Sequence, residues 1–246
     1  MDVNKNSYTF IFAFVMVVVV AAILSAAAEF LRPAQDENVR LEKMQSILAS
    51  INVEVERDAA DDAYQKHIKE EIVLTGGDVN ESVNAFTIDL SKEIPKNPDA
   101  RNAPLYVAEK GGETFYIVPL RGKGLWGPIW GYISLKDDVK TVYGAVFDHK
   151  SETPGLGAEI STPIFMDQFQ DKKILNSEGE FFGIKVTKKE AVGDYQVDGI
   201  SGGTITSVGV ENMIDDCMRP YVGFLKDYSN VAAKAGATNN KVATIE

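Results

Sequence analysis

The sharpest contrast along the chain lies between its N-terminal stretch and everything after it. From Tyr8 to Ala28 no residue is charged, and only Thr9 and Ser25 are markedly polar. As a helix rising about 1.5 Å per residue, this stretch reaches roughly 30 Å, the thickness of a bilayer's hydrocarbon core. The pattern predicts a transmembrane helix over residues 8–30, preceded by a stub of residues 1–7. The small residues from Ser25 to Ala28 would also suit a signal peptidase. Retention is the better reading, because the apolar run is longer than a usual signal core and Lys5, the only basic residue before it, is offset by Asp2.

Leu31, Arg32 and Pro33 are expected to close that helix, and Asp36 or Glu37 to open another, with Leu41, Met44, Ile47, Leu48 and Ile51 at helical spacing. A further helical stretch around residues 59–70 places Tyr64 and Ile68 four apart. After Thr75-Gly76-Gly77 the texture changes to short β-like runs. Residues 105–109 and 114–120 flank Lys110-Gly111-Gly112-Glu113 and read as a hairpin. Residues 129–135 and 141–147 form a second pair, split by Lys136-Asp137-Asp138. Residues 163–170 read as a short helix and 181–187 as a strand. Ser207 is expected to cap a final long helix with Val210, Met213, Ile214, Cys217, Tyr221, Phe224 and Leu225 on its apolar face, interrupted or kinked at Pro220. The tail, residues 232–246, lacks periodicity and is expected to be mobile. No internal repeat is present. The order of elements predicts an α+β fold, a single domain over residues 31–231 with a mostly antiparallel sheet and flanking helices.

A chain of 246 residues is long enough for one domain with a sizeable core beside the apolar helix. Its 25 Lys+Arg against 36 Asp+Glu give a net charge of −11. Asp2, Lys5, Glu29 and Arg32 cancel within the N-terminal segment, so the whole excess falls in the soluble part. That acidity argues against nucleic acid as a partner, and against a domain lying flat on an anionic membrane. Cys217 is the only cysteine, which excludes an internal disulfide, and its place on the apolar stripe reads as core. His67 and His149 are too few and too far apart for a zinc site, and no metal is expected. Lys5 on one flank and Arg32 and Arg40 on the other give the positive-inside rule almost nothing to act on. A short stub before a large C-terminal domain nonetheless suits a signal-anchor with an exported domain.

Three glycine-rich segments could carry chemistry. Gly122-Lys-Gly124-Leu-Trp-Gly127 formally matches GxGxxG, but Pro128 and the strand-like IWGYISL follow where a dinucleotide fold needs a helix. It reads as a β connection, in which Trp126 is either packing or a flat ring suited to a planar cofactor. The loop from His149 to Glu159 sets Glu152 and Glu159 seven residues apart, while Gly155 and Gly157 would let backbone amides approach a ligand closely. The run from Asp198 to Ser207 places glycines and hydroxyls at a helix N-terminus, which is either an elaborate cap or an anion pocket.

Within that run, Asp198-x-x-Ser201-Gly202-Gly203-Thr204 resembles the flavinylation motif D-x-x-S/T-G-A-S/T of the FMN-binding domain family, in which FMN is joined through its phosphate to the threonine hydroxyl. Together with one N-terminal membrane helix, Gly-Leu-Trp and Glu-Thr-Pro-Gly-Leu-Gly, the chain resembles the C-subunit family of the sodium-translocating NADH:quinone oxidoreductases. Gly203 stands where that motif usually has alanine. The resemblance implies FMN as a phosphoester on Thr204, with Thr206 as the rival acceptor. It completes the motif with Asp198, Ser201, Gly202 and Gly203, and lines the isoalloxazine and ribityl chain with Trp126, Glu152, Thr153, Leu156 and Gly157.

It also implies a separate magnesium-dependent flavin transferase that uses FAD. The implied role is a relay of single electrons from an iron–sulfur centre to a second covalent FMN. Its setting is a six-subunit sodium-pumping complex with other integral-membrane and flavoprotein subunits, in the bacterial inner membrane with this domain on the periplasmic side. One membrane helix without intramembrane charges cannot itself conduct sodium, so ion movement, NADH oxidation and quinone reduction would reside elsewhere in the complex. Two alternatives stand beside this reading: the homologous flavoprotein subunit of the ferredoxin:NAD oxidoreductase complex, and a cofactor-free anchored binding or assembly domain.

Overall fold

A computed structural model describes residues 6–188 and 190–228. The chain divides into two compact units, residues 1–43 and 44–246. The described part of the first is wholly helical and belongs to α1 (Asn6–Ser50). By length and composition this helix can cross a membrane: its most apolar stretch has a mean hydropathy of 2.9 and buries none of its residues. The expected break at Pro33 is absent, since Pro33 lies inside α1. An internal proline removes one backbone hydrogen bond and costs about 3 kcal/mol. The turns on either side remain helical, with Arg32 paired to Glu29 and Arg40 to Glu37. The two helices expected from the sequence are therefore one. The tail from residue 232 and most of the N-terminal stub lie outside the described residues.

In the second unit the last turns of α1 bury Met44, Ile47 and Leu48. Helix α2 (Ala60–His67) ends before Ile68, earlier than its apolar spacing suggests, because Ile68 already belongs to strand β1 (Ile68–Thr75). There follow β2 (Asp78–Val79), the single turn α3 (Leu90–Glu93), β3 (Asn102–Lys110), β4 (Glu113–Lys123), β5 (Pro128–Leu135) and β6 (Val142–His149). These strands form one antiparallel sheet in the order β2-β1-β3-β4-β5-β6. Both expected hairpins are present. Lys110 faces Glu113 across Gly111 and Gly112, whose φ values of 63° and 86° put both in the left-handed region that a two-residue hairpin turn favours.

Both faces of the sheet are covered, which is why β3 and β4 read as nearly continuous apolar runs instead of alternating ones. One face packs against α5 (Thr204–Met218), which buries Val210, Met213, Ile214, Cys217 and Met218. Phe147, Phe165 and Phe169 join this core with ring centroids 5.0–6.0 Å apart. A fully buried side chain of this size stabilises by about 1.5–3 kcal/mol. The other face meets the end of α1. There Lys110 Nζ donates to the carbonyls of Ile51 and Asn52, and Ser134 Oγ donates to that of Ser50, satisfying groups a helix terminus leaves unpaired.

The short helix near residue 163 is α4 (Pro163–Met166), followed by a 3-10 turn over Asp167–Phe169. The strand expected over residues 181–187 shrinks to β7 (Lys185–Thr187), which pairs in parallel with β8 (Gln196–Asp198). Gly183, with φ +73°, interrupts the extended run, and Phe181 keeps only an isolated bridge to Leu175. Around Pro220, α5 gives way to a 3-10 turn over Arg219–Tyr221 and helix resumes over residues 222–228. Cys217 is buried, with Sγ 3.4 Å from the Arg121 N–H, and burial pushes its thiol up to about 11. The folded protein is therefore expected to react with a disulfide reagent at pH 8 at least about a hundredfold more slowly than the denatured chain. Timed thiol titration with and without denaturant measures this ratio, and equal rates would contradict the core assignment.

Candidate functional site

The three glycine-rich segments converge at the N-terminus of α5. Leu125 and Trp126 come from the turn between β4 and β5, which is closed by the Gly124 N–H donating to the Gly127 carbonyl at 2.8 Å. No helix opens there, so the formal GxGxxG is not a dinucleotide site. The second segment follows β6, where the N–H groups of Leu156 and Ala158 both donate to the Thr153 carbonyl. The third follows β8. Gly203 N–H donates to the Ile200 carbonyl, and Gly202 occupies the turn position with φ +75° where glycine is favoured.

Together they enclose a cavity of about 230 Å³, lined by Leu125, Trp126, Glu152, Thr153, Leu156, Gly157 and by Gly202 to Thr206. Of the residues that the resemblance assigns to the cofactor, all but Asp198 and Ser201 line it. Asp198 works one layer back: its Oδ1 accepts the Ala191 N–H at 2.6 Å and its own N–H donates to Gln168 Oε1 at 2.7 Å, pinning the end of β8. Ser201 is exposed in the turn before the helix. Leu125 and Ile205 were not singled out as lining residues. Leu125 was within reach of the Gly-Leu-Trp signal, whereas Ile205 enters only because α5 starts at Thr204.

That start is itself a correction. Gly203, not Ser207, is the residue before the first turn, and no side chain caps the helix. Ser207 is buried one turn inside, and its Oγ accepts the Ile200 N–H at 3.0 Å, tying the turn to the helix instead of capping it. The first turn of a fifteen-residue helix is thus left uncapped facing the cavity, an arrangement that favours an anion such as phosphate. The two threonines there differ. Thr204 is half-buried at the cavity edge, while Thr206 is 2% exposed and its hydroxyl donates to Glu152 Oε2 at 2.7 Å.

Glu152 is the buried centre of the site, 5% exposed, and its Oε1 accepts the Trp126 N–H at 2.8 Å. Its own N–H donates to His149 Nδ1 at 3.2 Å. Glu159, its sequence partner seven residues on, instead accepts the Gly155 N–H at 2.9 Å and shapes the loop, so the two carboxylates do not face one substrate. Two glycines make room for Glu152. A Cβ on Gly124 would lie 2.5 Å from Oε1, and one on Gly157 would lie 2.3 Å from Oε2 and 2.6 Å from Thr206 Oγ1. Gly203 is similarly confined, since a Cβ there would come within 2.9 Å of the Ile200 side chain and 3.2 Å of the Leu156 backbone. Glycine in place of the motif's usual alanine therefore suits the close approach of these two loops.

The walls fit a flat heteroaromatic ring carrying a phosphate. Trp126, Ile205, Leu125 and Leu156 are 66%, 59%, 47% and 41% exposed, apolar surface available to a planar ligand, and the uncapped helix end with the Thr204 hydroxyl borders the same cavity. No group of His, Cys, Asp and Glu among the described residues is placed to hold a metal ion.

The sequence profile of the FMN-binding domain matches residues 124–219, a span that contains the second and third segments and the first from Gly124 onward. The C-subunit of the Na(+)-translocating NADH-quinone reductase of Haemophilus ducreyi is 31% identical over 228 residues, covering 85% of this chain and 89% of that protein. The corresponding protein of Vibrio anguillarum is 32% identical over 218 residues, covering 80% and 84%. A solved structure of the C-subunit from Parabacteroides distasonis shares 45% identity and superposes with a TM-score of 0.73, over 79% of this chain and 96% of that one.

Proposed function

Because the chain belongs to the C-subunit family of the Na(+)-translocating NADH-quinone reductases, we propose that it is the membrane-anchored flavoprotein subunit of such a complex, with FMN esterified through its phosphate to Thr204. The observation that carries the attachment point is the contrast between the two hydroxyls. Thr204 borders the cavity at an uncapped helix end, whereas the Thr206 hydroxyl is buried and engaged by Glu152.

In this reading Thr204 Oγ1 forms the ester, and the N–H groups of the first turn of α5 orient the phosphate. Trp126, Leu125, Leu156 and Ile205 pack against the ring system and exclude water from it, while Thr153 and the backbone at Gly157 border the linking chain. Glu152 fixes the Trp126 turn and withholds Thr206 from the reaction. Asp198 pins the end of β8 and Ser201 lies exposed in the turn before Thr204, where a flavin transferase would transfer FMN from FAD to the hydroxyl, breaking the pyrophosphate and releasing AMP and the hydroxyl proton. FMN, when bound, supplies one-electron transfer, here between an iron–sulfur centre and another flavin held by neighbouring subunits. An ester bond keeps the carrier from being lost by dilution at an exported site. Helix α1 serves as the anchor in the bacterial inner membrane, with the second unit on the periplasmic side among the partner subunits of a six-subunit assembly.

The test is to purify the full chain with its membrane partners from a host that makes the flavin transferase. A yellow complex in which the band of this chain still fluoresces after denaturation is the expected result. A colourless chain would overturn the flavin reading. Co-purification with ferredoxin-linked subunits, instead of NADH:quinone ones, would reassign the complex.

A further inference from the structure

Glu152 presents its carboxyl group in the wall of the cavity. Both donors to its carboxylate are uncharged, the Trp126 N–H and the Thr206 hydroxyl, and it makes no ion pair among the described residues. It is 5% exposed, with Gly124 and Gly157 packed closely against its two oxygens. A charge held this way is screened far less than one on the surface. Hydrogen bonding alone does not call for a carboxylate here. A glutamine of the same shape would accept the Trp126 N–H through its carbonyl and donate its amide to Thr206 Oγ1.

We propose that the Glu152 carboxylate sets the reduction potential of the flavin seated in this cavity, holding it below the value an uncharged residue would allow. The proposal rests on the reading that FMN occupies the cavity, and not on the ester to Thr204. When the flavin takes one electron from a one-electron donor, the donor is oxidised by that electron and the flavin gains one unit of negative charge. That charge arises beside a like charge in a poorly screened wall, which lowers the flavin's affinity for the electron. The lowered affinity makes the reduced carrier a stronger donor to the centre that follows it.

The experiment is an equilibrium redox titration of the flavin-loaded protein, followed by flavin absorbance, for wild type, Glu152→Gln and Glu152→Asp. The Gln variant is expected to titrate higher, raising the reduced-to-oxidised ratio at a fixed ambient potential by about tenfold or more, ~59 mV for a one-electron couple. The Asp variant keeps the charge while drawing back from both donors, and is expected to stay with wild type. A Gln variant that titrates with wild type would overturn the proposal. Equal shifts in both variants would do the same, because geometry and not charge would then be responsible. A Gln variant that takes up no flavin also overturns it, since the isosteric amide is expected to preserve the site. Flavin present in the native wild type but lost on denaturation counts against the ester alone, and the titration still decides the proposal. A wild type with no flavin at all sinks the occupancy reading and this proposal together, and is seen before any titration begins.

Discussion

Replacing Thr204 by alanine is expected to reduce the flavin fluorescence of the denatured chain to background, while Thr206→Ala keeps it. Thr204 is half-buried in the first turn of α5, and alanine is an excellent helix former, so the variant should fold as wild type does. The nucleophilic oxygen at the cavity edge is lost together with the γ-methyl beside it. Thr206→Ala removes a buried donor to Glu152 and should cost about 1–2 kcal/mol of stability, yet it leaves the acceptor in place. In-gel fluorescence and the intact mass of both variants, expressed with the transferase, separate the two sites. Fluorescence that persists in Thr204→Ala would move the attachment elsewhere, and its transfer to Thr206 would be visible in the mass of the peptide containing it.

Gly131→Ala is expected to be the most damaging single methyl in the sheet. A Cβ on Gly131 would lie 2.0 Å from the Val146 carbonyl oxygen and 3.1 Å from the Phe147 Cα. Strand β5 is hydrogen-bonded to β4 on one side and β6 on the other, so it cannot move away from backbone atoms without breaking one ladder. Overpacking against backbone puts the cost at about 3 kcal/mol, which lowers Tm by roughly 6–12 °C for a domain of this size. Gly223→Ala is the control. Nothing lies within 4 Å of its Cβ position in the last helical stretch, so the substitution should leave Tm unchanged or raise it slightly. Thermal melts of the two variants that coincide would contradict this account of the β5–β6 pairing.

The expectations that held are those in which a short piece of chain carries its own instruction. Gly111-Gly112 between two aromatic and β-branched runs specifies a tight hairpin, because the turn requires positive φ at both positions. The uncharged run from Tyr8 to Ala28 specifies an apolar helical stretch of bilayer length, although the helix containing it continues to Ser50. The expectations that failed are those in which a local signal competed with context. Pro33 disfavours helix locally, but helical turns on both sides carry α1 through it. Ser207 has the chemistry of a cap, yet the Ile200 turn draws its hydroxyl inside and the helix begins four residues earlier than a Ser207 cap would place it. Ile68 fits the helical spacing of α2, but pairing with Ala108 of β3 takes it into the sheet.

By itself, then, the sequence determined the periods, the turns and the residue types: one membrane-length helix, an antiparallel α+β domain, and a threonine motif opening the last long helix. Tertiary structure alone decided that Trp126, Glu152, Leu156 and Thr204 border one cavity, and that Glu152 is buried there with Thr206 engaged and Thr204 left at the edge. The reason is physical. Periodicity and turn chemistry are properties of neighbours along the chain, whereas the meeting of these segments depends on the register of β4, β5 and β6 and on α5 packing against that sheet face. Burial, which joins one carboxyl to one hydroxyl and leaves the other hydroxyl at the edge, exists only once that packing is complete.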